Sequence, residues 1–393
     1  MRIDPEQRRR RLAIRHHLAD PSESVSSASP ASPVAELADA LVALHSSDPA
    51  SVFLSVAVRA HDTAIGDIED ELYESRTVVR HHAMRRTLWV MTPAVAAAAH
   101  AACTRKIAAA ERQRTAKLFG RDEDWVADMI DRVADAVADR SDPVSTREIG
   151  DALPDLTEAV TVNAGRSYEG TIAPHTRALL HAAFEGRIVR TRPAGTWIGS
   201  QYAWTVPERW LAIDWDGSDV AAGHRELVGR WLHAFGPGTL DDIVWWTGST
   251  KTAVRRALHE LEAVEVELDD GTGFLAADDV EPSDLDEPPP WVALLPGLDP
   301  TAMGWKQRSW YLDQGVARRV VDRNGNIGPT VWVDGRIVGG WVQRPDGTIA
   351  HDAEVPRSHR TLLDAAITRI TDFVGDTRFR VRFPSPNQQD LLT

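Results

Sequence analysis

Six consecutive residues, Leu44-His45-Ser46-Ser47-Asp48-Pro49, bring an imidazole, two hydroxyls and a carboxylate to one short corner. An imidazole beside a hydroxyl can orient or deprotonate a water, and a nearby carboxylate can stabilise a developing cation. The flanking residues decide whether these groups meet. Before the corner, Leu37, Leu41 and Leu44 recur at the spacing of one helix face, and Pro49 to Arg59 repeats that pattern. Pro49 suits the first turn of a helix and Asp48 suits its cap. A residue before proline is also pushed out of the α region. The spacing predicts one helix ending near His45 and a second starting at Asp48. His45 and Ser47 then share a bend, with both side chains reaching the space above the positive end of the second helix. The same residues also fit a plain capped helix start with His45 packed or solvated.

The elements that hold this corner follow from composition and order. A chain of 393 residues is long enough for several compact units, and 43% hydrophobic with 26% charged residues is the balance of a globular protein. No apolar run is long enough for a bilayer, and the Arg-rich N-terminus lacks the apolar core of a secretory signal. A cytoplasmic, nucleoid-associated location is the expectation. The single cysteine, Cys103, excludes an internal disulfide framework and a cysteine-based zinc site. No His/Asp/Glu cluster has metal-ligand spacing and no phosphate loop or dinucleotide fingerprint is present, so neither a metal nor a cofactor is expected. The net charge of −14 argues against general polyanion binding, but the charge is unevenly spread. Basic residues collect in Met1 to His16 and from Arg76 to Lys117, while acids collect at 121–142 and 260–287. A basic N-terminal third on an acidic protein is a polarised field.

Three stretches spell helices followed by a strand pair. In the first, Arg85-Arg86-Thr87-Leu88-Trp89-Val90-Met91 is the clearest strand, with Val78 to Met91 as a hairpin, and a long Ala-rich helix runs from Pro93 to Lys117. In the second, the helix Pro174 to Phe184 leads into the strand Arg187 to Arg192 and its partner Tyr202 to Val206. In the third, Gly248 closes a short helix, a second helix runs Lys251 to Leu261, and Asp269-Asp270-Gly271 turns a hairpin. This is a helix-turn-helix with a wing, whose second helix would present Lys251, Arg255 and Arg256 to a DNA groove. The wing itself is acidic, through Glu265, Glu267, Asp269 and Asp270, which favours a scaffold role there. Pro21 to Pro33 and Pro282 to Pro290 read as linkers. An α/β segment closes the chain, with a buried strand at Trp291, an Asp334-Gly335 hairpin, a helix from Ser358 to Val374 and a strand from Arg378 to Phe383. The fold class is α+β: a first winged-helix unit at 1–120 with a basic N-terminal arm, a second at 121–216, a third at 217–280, and the α/β segment at 281–393.

The order of these units, with Leu44 to Pro49, Arg86-Thr87-Leu88-Trp89-Val90, Leu294-Leu295-Pro296-Gly297-Leu298-Asp299-Pro300 and Val333 to Trp341, resembles the AlkZ-like family of winged-helix DNA glycosylases, which includes the YcaQ-type proteins. The resemblance implies a C-shaped body with double-stranded DNA in its concave face and removal of bulky N7-alkylated purines. It also implies a Gln-x-Gln catalytic motif at the corner, where His45 takes the first position and Ser47, shorter and without an amide, the second. On this reading His45 and Ser47 handle the water and Asp48 supplies negative charge. Arg59, Arg80, Arg85 and Arg86 contact phosphates, which position DNA without reading its sequence. The alternative is a DNA-binding protein that keeps the scaffold without catalysis, in damage recognition or transcriptional regulation.

Overall fold

The computed structural model describes residues 1–19, 32–166, 169–211, 213–279 and 287–393. Most of the first expected linker, Pro21 to Pro33, and the start of the second, Pro282 to Pro290, lie outside the described residues. The chain is a mixed α+β assembly of small sheets among many helices. No helix among the described residues is long and apolar enough to cross a membrane.

Three sheets share one construction. Each holds a two-residue strand just before a helix, and this strand pairs with the second strand of a hairpin that follows later in the chain. The short strands are Leu44–His45, Val144–Ser145 and Gly238–Thr239. The hairpins are 79–82 with 88–91, 189–193 with 202–205, and 264–268 with 271–275. Each three-stranded sheet therefore has the short strand at one edge and the hairpin's first strand at the other. Local chemistry explains where the helices between them begin. Ser145 and Glu148, and Thr239 and Asp242, satisfy each other's first-turn donors as capping boxes. Gly248 adopts φ +70°, the left-handed turn that ends Leu240–Thr247 before Thr250 caps Lys251–Glu260.

The C-terminal segment is a four-stranded antiparallel sheet, 292–295, 330–333, 336–343 and 349–351 in order, with helix Arg360–Val374 against it. Its Asp334-Gly335 turn has φ +46° and +82°, as a two-residue hairpin needs. The expected last strand, Arg378 to Phe383, is absent. Side chains occupy that stretch instead: Phe379 N–H donates to Gln343 and Arg382 N–H donates to Asp48. One apolar core runs through the first unit, the third unit and the C-terminal segment, takes in Val189 and Trp197 of the second, and includes the buried Trp89, Trp231, Trp246, Trp305, Trp332 and Trp341. The second unit has a core of its own, built around Val126, Ile130, Val133, Leu179 and Ile188.

The basic N-terminal arm is not free for DNA. Helix Pro5–Arg15 lies on the third unit, where Arg8 pairs with Asp270 and Arg11 and Arg15 pair with Asp279. Met1 and Ile3 hydrogen-bond the outer edge strand of that hairpin at Glu267, and Arg2 pairs with Asp269. The acidic wing is thus the seat of the chain's own basic helix, and much of the apparent charge polarity is cancelled internally.

Candidate active site

The corner forms differently from its sequence reading. The first helix, Pro33–Ala40, ends early, Val42 turns with φ +64°, and Leu44–His45 becomes an edge strand pairing with Val90 and Trp89. Helix Pro49–Arg59 begins where expected, and one Asp48 oxygen accepts from Ala50 N–H at 3.3 Å. The other oxygen accepts from Arg382 N–H at 3.1 Å, so Asp48 also ties the corner to the C-terminal segment. Burial raises its pKa above the ordinary value, and these two donors oppose that rise.

His45 and Ser47 do not open on the same space. Register puts His45, Trp89 and His81 in one cross-strand row, on the face opposite Leu44, Val90 and Arg80. His45 is 6% exposed and its ring meets Trp89 edge-on at 4.8 Å. Burial, with Arg85 nearby, pushes its pKa down to about 3. Its Nδ1 accepts from Ser47 N–H at 3.4 Å, which puts the ring proton on Nε2. A ring this weakly basic and this enclosed is a poor proton acceptor at neutral pH, so the structure corrects the joint projection of His45 and Ser47. Ser47 is half-buried, and its Oγ accepts from Leu88 N–H at 3.3 Å, which leaves the hydroxyl proton free to donate elsewhere. Ser46, Ser47 and Pro49 line a groove of about 800 Å³ between the first and second units, with Arg190, Tyr202 and Arg382 on its other walls.

The arginines assigned to phosphates divide. Arg59 is fully buried, and its guanidinium holds both oxygens of Asp299 at 2.8 and 2.9 Å and also reaches Ser55, Thr301 and His16. It is a core ion pair and not a DNA contact. Its surroundings explain why: all eleven residues of Pro49–Arg59 are buried. Arg80 is also buried, on the face opposite His45, bonded to Ser46 Oγ and Tyr73 OH. It cannot meet a phosphate from bulk solvent. Arg85 and Arg86 sit at the hairpin tip with φ +56° and +63°. Arg85 stacks on Trp245 at 4.0 Å, and Arg86, half exposed, pairs with Glu111. They border a second hollow, about 500 Å³, with Arg105, Lys106 and Arg114. On the third unit, Lys251 pairs with Asp241 and Arg256 with Glu260, while the exposed Arg255 has no ion pair among the described residues. Among the described residues no group of three His, Cys, Asp or Glu is placed to hold a metal.

Sequence reading missed Arg190, Arg147 and Arg382 on the groove. Their signal was weak. Arg190 is one of several arginines in the second unit's hairpin, and only register shows that it faces Trp204.

The family described as DNA glycosylase AlkZ-like matches residues 38–373, most of the chain and all of the corner. The chain belongs to the AlkZ-like DNA glycosylase family. Membership brings DNA in as the macromolecular partner. The solved structure of the Streptomyces sahachiroi DNA glycosylase AlkZ superposes with a TM-score of 0.71 over 97% of this chain and 100% of that one, at 18% identity. At that identity the likeness speaks for the fold. No curated protein matched by sequence. The AlkZ-like match begins at residue 38, so the N-terminal arm that covers the acidic wing lies outside it.

Proposed function

We propose that this chain hydrolyses the N-glycosidic bond of bulky N7-alkylated purines in double-stranded DNA, on a C-shaped scaffold of three tandem winged-helix units. The observation that carries the reading is the corner itself: within the family match, Ser46 and Ser47 form the wall of a groove between two units. The repeated order of helix, short strand, helix and hairpin supports the winged-helix description.

The chemistry asks little of the protein. An N7-alkylpurine is already cationic and leaves without strong acid catalysis. Positive charge builds on the sugar, and a water must arrive opposite the departing base. Ser47 is the group that holds this water, because its hydroxyl proton is uncommitted and it borders the groove. His45 is a positioning residue: its Nδ1 accepts from the Ser47 backbone and its ring fixes the strand against Trp89. Asp48 contributes negative charge near the corner while capping the helix. Ser47→Ala should slow release of 7-methylguanine from a duplex about a hundredfold in single turnover, with the urea midpoint unchanged. Release at the wild-type rate removes Ser47 from the mechanism.

A second reading, DNA binding without catalysis, draws on two observations: His45 is buried and does not line the groove, and both Asp48 oxygens are already bonded. Tight lesion binding with no free base favours that reading.

A further inference from the structure

The groove at the corner holds a buried guanidinium that no carboxylate among the described residues answers. Arg190 is 9% exposed and lines the groove with its guanidinium 4.5 Å above the Trp204 ring. Its guanidinium forms no hydrogen bond or ion pair with any described residue, while its backbone pairs with Trp204 in the strand ladder. Burial pushes its pKa down to about 10; Tyr202 opposes that shift and Arg80 adds to it. Arg80 is 4% exposed; its Nε and Nη1 are bonded, but its Nη2 has no partner among the described residues. Tyr202 lies beside both, under the Arg80 guanidinium at 5.1 Å, and its buried hydroxyl also lacks a partner among the described residues. Among the described residues no carboxylate bears on either arginine. Two further cations, Arg147 and Arg382, stand exposed at the groove rim, Arg147 with Asp151 at 3.9 Å.

Withdrawing a guanidinium from water without a counter-charge is costly, and proteins keep such groups where a ligand completes them. We infer that the groove between the first and second units is a phosphate seat, in which Arg190 takes a backbone phosphodiester of the DNA strand lying against Ser46 and Ser47. The inference rests on the reading of the chain as a DNA-acting protein. Trp204 fixes the guanidinium plane, so the charge is preorganised and its direction is set before DNA arrives. Arg147 and Arg382 extend the seat to the neighbouring phosphates. This places the strand beside the corner through charges that the first unit's hairpin tip does not supply.

Arg190→Met keeps the length of the side chain and its contact with Trp204 but removes the charge. Affinity for a fluorescein-labelled duplex with one 7-methylguanine, read by anisotropy across a KCl series, should fall about tenfold, with the log–log salt slope reduced by about one. Because an unanswered buried charge is removed, the melting temperature of the free protein should hold or rise. Arg190→Lys should keep most of the affinity. A lower melting temperature for Arg190→Met makes Arg190 a structural residue and overturns the inference, as does unchanged affinity and slope. Inorganic phosphate alone is the control probe: if it raises the melting temperature of wild type but not of Arg190→Met while both bind DNA equally, the seat serves a free anion and not DNA. Salt-sensitive, Arg190-dependent binding without base release would sink the glycosylase reading and leave the seat standing.

Discussion

Acidification to about pH 5 will unfold this protein cooperatively, with about six protons taken up in the transition. The rings responsible are His16, His45, His81, His82, His100 and His181, all neutral in the fold and all with lowered pKa, burial being the largest cause in each. His16 and His45 are pushed to about 3, and His100 and His181 to about 4. The arrangement is mutually unfavourable to protonation: His81 Nε2 meets His100 Nδ1 at 3.2 Å, and Arg190 lies close to both His81 and His82. Below the ordinary histidine value of 6.5, the unfolded chain binds protons that the folded chain refuses. Each ring then removes about 1.4 kcal/mol of stability per pH unit until its folded pKa is reached. Six together remove ~8 kcal/mol per unit near pH 5, against a total of roughly 5–15 kcal/mol for a folded domain. Asp48 and Glu71, with raised pKa, act in the opposite direction but only at the acid end of this range. Circular dichroism and tryptophan fluorescence across pH should show one steep, coincident transition. Persistence of both signals to the acid side of pH 4 contradicts neutral buried imidazoles.

Arg59→Met should destabilise the fold by about 3–5 kcal/mol, because it strands Asp299 in the interior. Burial alone would raise the Asp299 pKa, but Arg59, with hydrogen bonds from Ser55 and the Thr301 N–H, holds it below the usual range. That carboxylate joins helix Pro49–Arg59 to the Pro296–Pro300 turn, and so joins the corner to the C-terminal sheet. The double variant Arg59→Met with Asp299→Leu should recover most of the loss, since replacing both charges leaves neither unpaired. Urea unfolding reads both outcomes. Were Arg59 a phosphate contact, the single variant would keep its urea midpoint and lose DNA affinity instead.

These two cases mark how far sequence carried the reading. Periodicity and caps located the helices flanking the corner, the repeated helix-and-hairpin units and the Asp334-Gly335 turn, since those are set by residues a few positions apart. Arg59 was misread because helix spacing does not tell an arginine at a helix end facing solvent from one facing Asp299, 240 positions away. The seat of the basic arm was hidden for the same reason: its partners, Asp269, Asp270 and Asp279, are remote in the chain. The corner's residue types were legible, but its geometry was not. Two residues pairing with Trp89 and Val90 converted a helix end into a strand, and the His45 ring then packs against Trp89 while Ser47, past the strand end, borders the groove.

The most direct measurement follows wild-type protein in excess over a duplex carrying a single 7-methylguanine and quantifies free base by mass spectrometry. The account predicts release of one free 7-methylguanine per lesion, leaving an abasic site in an otherwise intact strand. A duplex that is bound, with every modified base still attached, would contradict it.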